Sequence, residues 1–424
     1  MVARAVRPGH VGGGERRPRA VGPRPQPRAP GDLDRHVGPV ARGRELLRDS
    51  GMTLPAEVAV VGRFPPPLDG QTLATARLAE LVSTACPVVT VSTSAPEGDR
   101  LVSTEARWSW RRAAHYLGTG RRLRRELAAV PEAPVLWASI SPHPLGHARD
   151  VLTTLPAFGP TRPVVAVVHR AYFDRMFAGV TSATARRVVE RCAAVVFLTE
   201  GLAERAAPYV PAEKRVVIPN TVGADVLCTD AEVEAARAAR RGRPGLRLLF
   251  LGNLMPEKGY DLALDAAARL ARTHDVRLDL VGRWPSADAE AAFAGRLQSL
   301  GLEGRVVAHG GVPHAHVKRF VLDADLLLFP STHPSEALPV AVLEALNAGT
   351  PVVGVAHAAL PEIIRDGAGT LVPPDADALA DAAEALADPG AWALASRAAR
   401  ARFDAAYGPD AVRQMWLSLL DRVA

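Results

Sequence analysis

From Glu57 onward the chain alternates short runs rich in Val, Leu and Ile with Ala-rich amphipathic stretches of about 10 to 15 residues, and this alternation constrains the fold most tightly. Parallel strands buried on both faces read as unbroken apolar runs, and each needs a helical crossover to reach the next. Six runs fit in the first half: Glu57–Gly62, Val88–Ser92, Val135–Ile140, Val164–His169, Ala194–Thr199 and Arg215–Pro219. The pattern pauses from Thr221 to Gly245, where Ala- and Arg-rich sequence ending in Arg-Arg-Gly-Arg-Pro-Gly reads as a helix and a linker. It resumes with Leu246–Gly252, Arg277–Gly282, Val306–His309, Leu326–Pro330 and Pro351–Val355. The chain has 424 residues, enough for two cores, since single cores stop growing near roughly 250 to 300 residues. The expectation is an α/β protein of two parallel-sheet domains, 52–222 and 223–407. A final helix, 408–424, carries Val412, Met415, Trp416, Leu419 and Leu420 as a stripe for packing at the domain junction.

The net charge of +6 is a weak sign of nucleic-acid binding because of where it sits. The first 50 residues hold 11 arginines against five acids, and the remaining basic and acidic residues cancel. That opening segment is dense in Arg, Pro and Gly and has no apolar run able to pack, so residues 1–51 read as a disordered basic tail, or as lying upstream of a true start at Met52. A tether to anionic lipid or nucleic acid is the functional alternative, which composition alone does not favour. No apolar stretch approaches the about 20 residues of a membrane span and no secretory pattern appears, so the expected location is cytoplasmic. Cys86, Cys192 and Cys228 are too scattered for a disulfide framework or a metal quartet. Asp323-Ala-Asp325 and Asp375-Ala-Asp377 precede a strand and open a helix, so no metal site is expected.

Ligands of open parallel sheets bind beyond the carboxyl ends of the strands, which puts weight on the residues that follow each apolar run. The richest such segment runs from Phe329 through Pro330, Glu336 and Pro339 to Glu344 and Gly349: a strand, a polar loop, a helix beginning near Pro339, and another strand. Free amides at a helix start hold phosphates, and Ala337, Leu338, Pro339 and Val340 form the turn that presents them. Carboxylates suit paired hydroxyls because each offers two acceptor oxygens, so Glu336 and Glu344 can hold the two sugars of an extended ligand.

This block resembles the Glu-x7-Glu signature of retaining glycosyltransferases of the GT-B fold, a family that includes bacterial mannosyl- and glucosyltransferases. The segment from Leu248 through Gly252 and Asn253 to Lys258 and Gly259 is similar to the family's first C-domain strand and loop, where an Arg and a Lys hold the donor phosphates. Lys258 matches and is one of only three lysines in the chain, whereas Asn253 stands where the family has Arg. Arg283, just past the strand ending at Gly282, is the candidate to compensate. Val58 to Gln71 resembles the opening strand and glycine loop, with Gly70 conserving one glycine of a pair and Asp69 in place of the other. His169 stands where relatives carry a His near the donor sugar.

The resemblance implies two Rossmann-like domains facing across a cleft, and transfer of a sugar from a nucleotide-diphosphate donor, such as a UDP- or GDP-sugar, to a hydroxyl-bearing acceptor with retention of configuration. It implies that Glu336 and His169 orient the sugar, Lys258 neutralises the leaving diphosphate, Glu344 anchors the ribose, and no further cofactor or metal takes part. A non-hydrolysing nucleotide-sugar epimerase and a non-catalytic nucleotide-sugar-binding protein remain alternatives. A dinucleotide dehydrogenase is disfavoured, because no strand is followed by Gly-x-Gly-x-x-Gly. Arg111, Arg112, Arg121, Arg122, Arg124 and Arg125 leave open a peripheral contact with an anionic membrane, with solvated helix charge as the plainer account.

Overall fold

The computed structural model describes residues 35–36, 52–66, 70–94, 110–138 and 140–424. Its strands in chain order are β1 Arg35–His36, β2 Val58–Gly62, β3 Val88–Ser92, β4 Val135–Trp137, β5 Val164–Val168, β6 Ala194–Phe197, β7 Arg215–Val217, β8 Leu246–Leu251, β9 Val276–Val281, β10 Val306–Ala308, β11 Leu326–Phe329, β12 Val352–Val355 and β13 Gly369–Val372. They form two sheets, ordered β1-β3-β2-β4-β5-β6-β7 and β10-β9-β8-β11-β12-β13. Every ladder is parallel except β1 on β3. The central strands are apolar throughout because helices cover both faces: every residue of β2, β5, β6 and β11 is buried.

Three expectations need correction. Arg35–His36, placed in a tail without structure, pairs antiparallel with Val88 and Val89, so the first sheet is not purely parallel. The pairing uses backbone amides that an edge strand leaves open, and it needs no apolar side chain. The rest of residues 1–51, and Asp69, lie outside the described residues. β13 carries no apolar run to mark it, because Arg365, Asp366 and Gly367 precede it and only Leu371 and Val372 of its four half-buried residues are apolar. Met415 is 38% exposed, while Leu417 takes its place on the buried stripe.

Most other strands stop one or two residues earlier than their apolar runs suggest. The displaced residues, among them His169, Thr199, Gly252 and Gly282, thereby fall in the loops at the carboxyl ends.

Each sheet has its own core. Val58, Val60, Leu136, Val165 and Val196 form the first with Val412, Trp416, Leu419 and Leu420 of the C-terminal helix Pro409–Val423, so the end of the chain packs into the first lobe. Leu248, Phe250, Leu278, Leu328 and Val353 form the second with the helix Tyr260–Leu270. Between the sheets, the helix Asp230–Arg241 begins with a reciprocal capping box of Thr229 and Glu232. The linker before it is pinned by Asn347, whose amide accepts from Cys228 N at 3.0 Å and donates to Val226 O at 2.9 Å. Asp323 and Asp325 bind Arg240, Arg243 and Arg247, which fixes the linker's far end to the second sheet.

Candidate active site

The carboxyl ends of the two sheets face each other across a cleft of about 680 Å³. Its second-lobe wall is made by Gly252, Asn253 and Lys258 after β8, and by His333 and the run Glu336 to Ala341 after β11. Its first-lobe wall is made by Arg63 after β2, Gly70 and Gln71 at the start of the helix Gly70–Ser83, His169 and Arg170 after β5, and Asn220 in the linker.

Lys258 reaches the cleft because of the glycine that follows it. Gly259 has φ +77°, and a Cβ there would stand 2.4 Å from the carbonyl oxygen of Pro330, so the β8 loop lies directly against the end of β11. Thr332 N donates to Glu257 O at 3.0 Å and ties the two loops together. Lys258 Nζ is thereby paired with the Glu336 carboxylate, which also accepts from Ser331 Oγ at 3.2 Å. Glu336 is 9% exposed, so this pair is screened far less than a surface one.

The helix Val340–Asn347 starts immediately beyond, with extended Pro339 as its N-cap rather than its first residue. Its first-turn amide N–H groups have no intrahelical acceptor, and the first two belong to Val340 and Ala341, which line the cleft. Gly252, at φ +153°, and Gly70 each have no atom within 4 Å of a Cβ built on them; the space beside both is the cleft itself. His333 accepts from Ser335 N through Nδ1 at 3.2 Å, which places its ring proton on Nε2. Burial first, then the positive charges of Lys258 and Arg170, pull its pKa below the ordinary value against the opposing pull of Glu336 and Glu257. The shift favours the neutral ring, with Nε2 as its donor. Among the described residues, the lining charges are the cations Arg63, Arg170 and Lys258 against the single carboxylate of Glu336.

Two expected residues are placed differently. Arg283 is exposed and absent from the cleft lining; its side chain runs beside Gly311, where a Cβ would meet it at 2.7 Å. β9 ends one strand away from β8 and aims its following residue outward. Glu344 is 4% exposed and does not line the cleft. Its Oε1 accepts from His314 Nε2 at 2.8 Å and from Arg77 Nη2 at 3.4 Å, while His314 Nδ1 donates to Asp225 at 2.7 Å and Arg77 Nη1 to Thr221 O at 3.1 Å. Arg77 belongs to the first-lobe helix, so this buried cluster joins the lobes behind the cleft. Arg77, His314 and Asp225 were not singled out from the sequence, although an arginine among the apolar positions of Gly70–Ser83 was a signal. A second bridge runs from Glu362, whose carboxylate accepts from Glu200 N and Gly201 N, each at 2.9 Å, at the start of the helix Glu200–Arg205.

For His314, burial lowers the pKa, but the hydrogen bond and charge of Glu344 and the bond to Asp225 outweigh it, even against Arg77, and the net shift is upward from 6.5. Because the folded value exceeds the unfolded one, the stabilisation is complete below pH 6.5 and is lost as pH rises through the raised value. The stability difference between the native protein and His314→Gln, from urea denaturation, is therefore expected to shrink as pH rises above 6.5. A difference that grows with pH would contradict a protonated His314.

Residues 237–402 match the family of group 1 glycosyl transferases, a span that takes in β8 to β13 and the helix Val340–Asn347. The alpha-D-kanosaminyltransferase of Streptomyces kanamyceticus is 31% identical over 226 residues, covering 51% of this chain and 56% of the relative. The 2-deoxystreptamine glucosyltransferase of the same organism is 36% identical over 187 residues, 42% of this chain and 46% of the relative. The phosphatidyl-myo-inositol mannosyltransferase of Mycobacterium tuberculosis is 33% identical over 259 residues, 59% of this chain and 63% of the relative. The chain thus aligns with about half the length of the first of these relatives. Among solved structures, Anabaena HepE in complex with UDP and glucose superposes with a TM-score of 0.62 at 18% identity, covering 85% of this chain and 98% of that one. Sucrose-phosphate synthase from Thermosynechococcus elongatus gives 0.62 at 18% identity, covering 87% and 99%. The chain has the two-domain α/β GT-B fold. Among the described residues no helix is long and apolar enough to cross a membrane, and no group of three or more potential metal ligands occurs.

Proposed function

We propose that this chain is a retaining glycosyltransferase that takes a sugar from a nucleoside-diphosphate donor and gives it to the hydroxyl of an acceptor in the cleft. The observation that carries the reading is the Lys258–Glu336 pair beside the open start of the helix Val340–Asn347, on the wall of the lobe that matches the transferase family. A donor diphosphate bears two negative charges and competes with Glu336 for the ammonium of Lys258. Once Lys258 turns to the phosphates, with the amides of Val340 and Ala341 completing their cradle, Glu336 is released to accept from the sugar hydroxyls. As the bond to the anomeric carbon breaks, charge accumulates on the leaving phosphate, where these fixed donors already point. His169, from the opposite wall, is placed to donate to a sugar hydroxyl. The leaving diphosphate takes the acceptor's proton on the face from which it departs, which gives retention. Closing the lobes excludes water that would otherwise hydrolyse the donor.

Relatives are named for transferring kanosamine, for glucosylating 2-deoxystreptamine and for mannosylating phosphatidyl-myo-inositol, and the acceptor of this chain is assigned to the first lobe, which the family model does not match. A peripheral contact with an anionic membrane would use the exposed Arg121, Arg124 and Arg125. Nucleic acid has no part in the proposal.

A screen of UDP-, GDP- and other nucleoside-diphosphate sugars for slow hydrolysis without acceptor identifies the donor. The anomeric configuration of the transferred sugar, read by NMR, then tests retention. Conversion of a donor into its sugar epimer without any acceptor would replace this reading with the epimerase, and tight donor binding with neither hydrolysis nor transfer would leave only a binding protein.

A further inference from the structure

The second-lobe wall is short of positive charge for a diphosphate. Asn253 is neutral, Arg283 is out of reach, and Lys258 is shared with Glu336. The helix-start amides add partial charge only, worth roughly half an elementary charge. The missing cation has to come from elsewhere, and the first-lobe wall has two arginines, Arg63 and Arg170.

Their positions are not equivalent. Arg63 follows β2 and Arg170 follows β5, and these strands are separated by β4, so the two backbones start about 10 Å apart across the sheet. Arg170 is the arginine whose charge is felt by His333, in the loop that carries Glu336. Arg170 is held in place: its Nη1 donates to the Tyr172 hydroxyl at 3.1 Å, which uses one of the five N–H donors of a guanidinium. It is half-buried in a cleft wall that contributes no carboxylate to neutralise it.

We infer that Arg170 is a donor-phosphate ligand supplied by the opposite lobe, standing in for the basic residue that the β8 loop lacks at Asn253. The inference rests on the donor class proposed above and adds the residue that sets its affinity. Its geometry has a consequence for motion. A phosphate held by Lys258 and the helix start on one side and by Arg170 on the other bridges the lobes, so donor binding itself favours the closed cleft. A planar fork reaching a phosphate from across the gap is also more selective for the diphosphate than for the base or ribose.

Calorimetric titrations with UDP, GDP, uridine and guanosine against the full chain test this. The native protein is expected to bind one of the two diphosphates, and Arg170→Gln to weaken that binding by on the order of tenfold or more, the scale of one hydrogen bond to a charged group. The matching nucleoside should bind Arg170→Gln within about twofold of the native protein, and Arg170→Lys should recover part of the lost diphosphate affinity. Arg175→Gln is the control, because Arg175 is exposed, lies over the same Tyr172 ring at 5.3 Å and does not line the cleft. It should leave both affinities unchanged. Unchanged diphosphate binding by Arg170→Gln would overturn the assignment while leaving the donor reading intact. Equal loss for diphosphate and nucleoside would also overturn it, by showing general damage to the cleft. A native protein that binds neither of these nor any other nucleoside diphosphate from the donor screen would remove the donor reading and this inference with it.

Discussion

Replacing Lys258 with alanine is expected to lower kcat/KM for sugar transfer by about 10²- to 10³-fold, the usual effect of deleting one fixed donor aimed at developing charge. The effect is large because Lys258 has no substitute on its own wall: the amides of Val340 and Ala341 remain, but Asn253 carries no charge and Arg283 lies outside the cleft. The variant also leaves Glu336, 9% exposed, with Ser331 as its remaining partner, and its negative charge then faces an incoming diphosphate. KM for the donor should therefore rise as kcat falls. Glu336→Gln separates the two contributions, since it keeps the size of the side chain and frees Lys258 while deleting the carboxylate. It should lower kcat while strengthening the binding of free nucleoside diphosphate, because the competitor for Lys258 is gone. Steady-state kinetics with the donor found by screening, together with melting curves to exclude misfolding, check both. A Lys258→Ala enzyme within threefold of native kcat/KM would move the chemistry elsewhere.

The second large effect is predicted at Gly282. A Cβ there would lie 1.8 Å from the carbonyl oxygen of Gly252 and 2.5 Å from its carbonyl carbon, and both are backbone atoms with no flexible end to swing aside. The two loops are also laced together: Gly252 N donates to Val281 O at 2.9 Å and Leu254 N to Arg283 O at 2.9 Å. Gly282→Ala must push β8 and β9 apart at their carboxyl ends, at a cost of about 3 kcal/mol by the scale of overpacking. The displaced segment is Gly252-Asn253, part of the cleft wall, so donor binding should be lost together with stability. Gly295→Ala is the informative contrast, since no atom lies within 4 Å of its built Cβ and it sits inside the helix Ala287–Leu300. It should leave the melting temperature unchanged or slightly raised. Thermal unfolding of the two variants in parallel decides whether the clash is real.

How much of this was readable from residues alone follows from the range of the interactions. Strand and helix periodicity is local, so eleven apolar runs located all but β1 and β13, and the two exceptions are edge strands without an apolar run of their own. Residues that follow strands were readable for a related reason. Parallel topology sends all carboxyl ends to one side, and Gly252, Asn253, Lys258, Glu336, His169 and Gly70 therefore meet in one cleft. Orientation beyond the first residue or two was not readable. Glu344 lies one helical turn beyond the cleft-facing start of its helix, and its partners come from 267 positions earlier, at Arg77, and 30 positions earlier, at His314. Such distant pairings leave no periodic trace. Arg170 was overlooked for a plainer reason: next to a histidine that matched a family position, it read as an ordinary charge.

The return of the C-terminal helix to the first lobe shapes how the molecule can open. The backbone passes between the lobes once in the linker that Asn347 holds at Val226 and Cys228, and again where Pro389–Ala406 gives way to Pro409–Val423 at buried Tyr407. One crossing would act as a swivel, free to turn in any direction, whereas two separate crossings define an axle. Gaping and shutting about that line remain soft, while twist and sideways slip are stiff, so Arg170 and Lys258 come back into register each time the jaws meet.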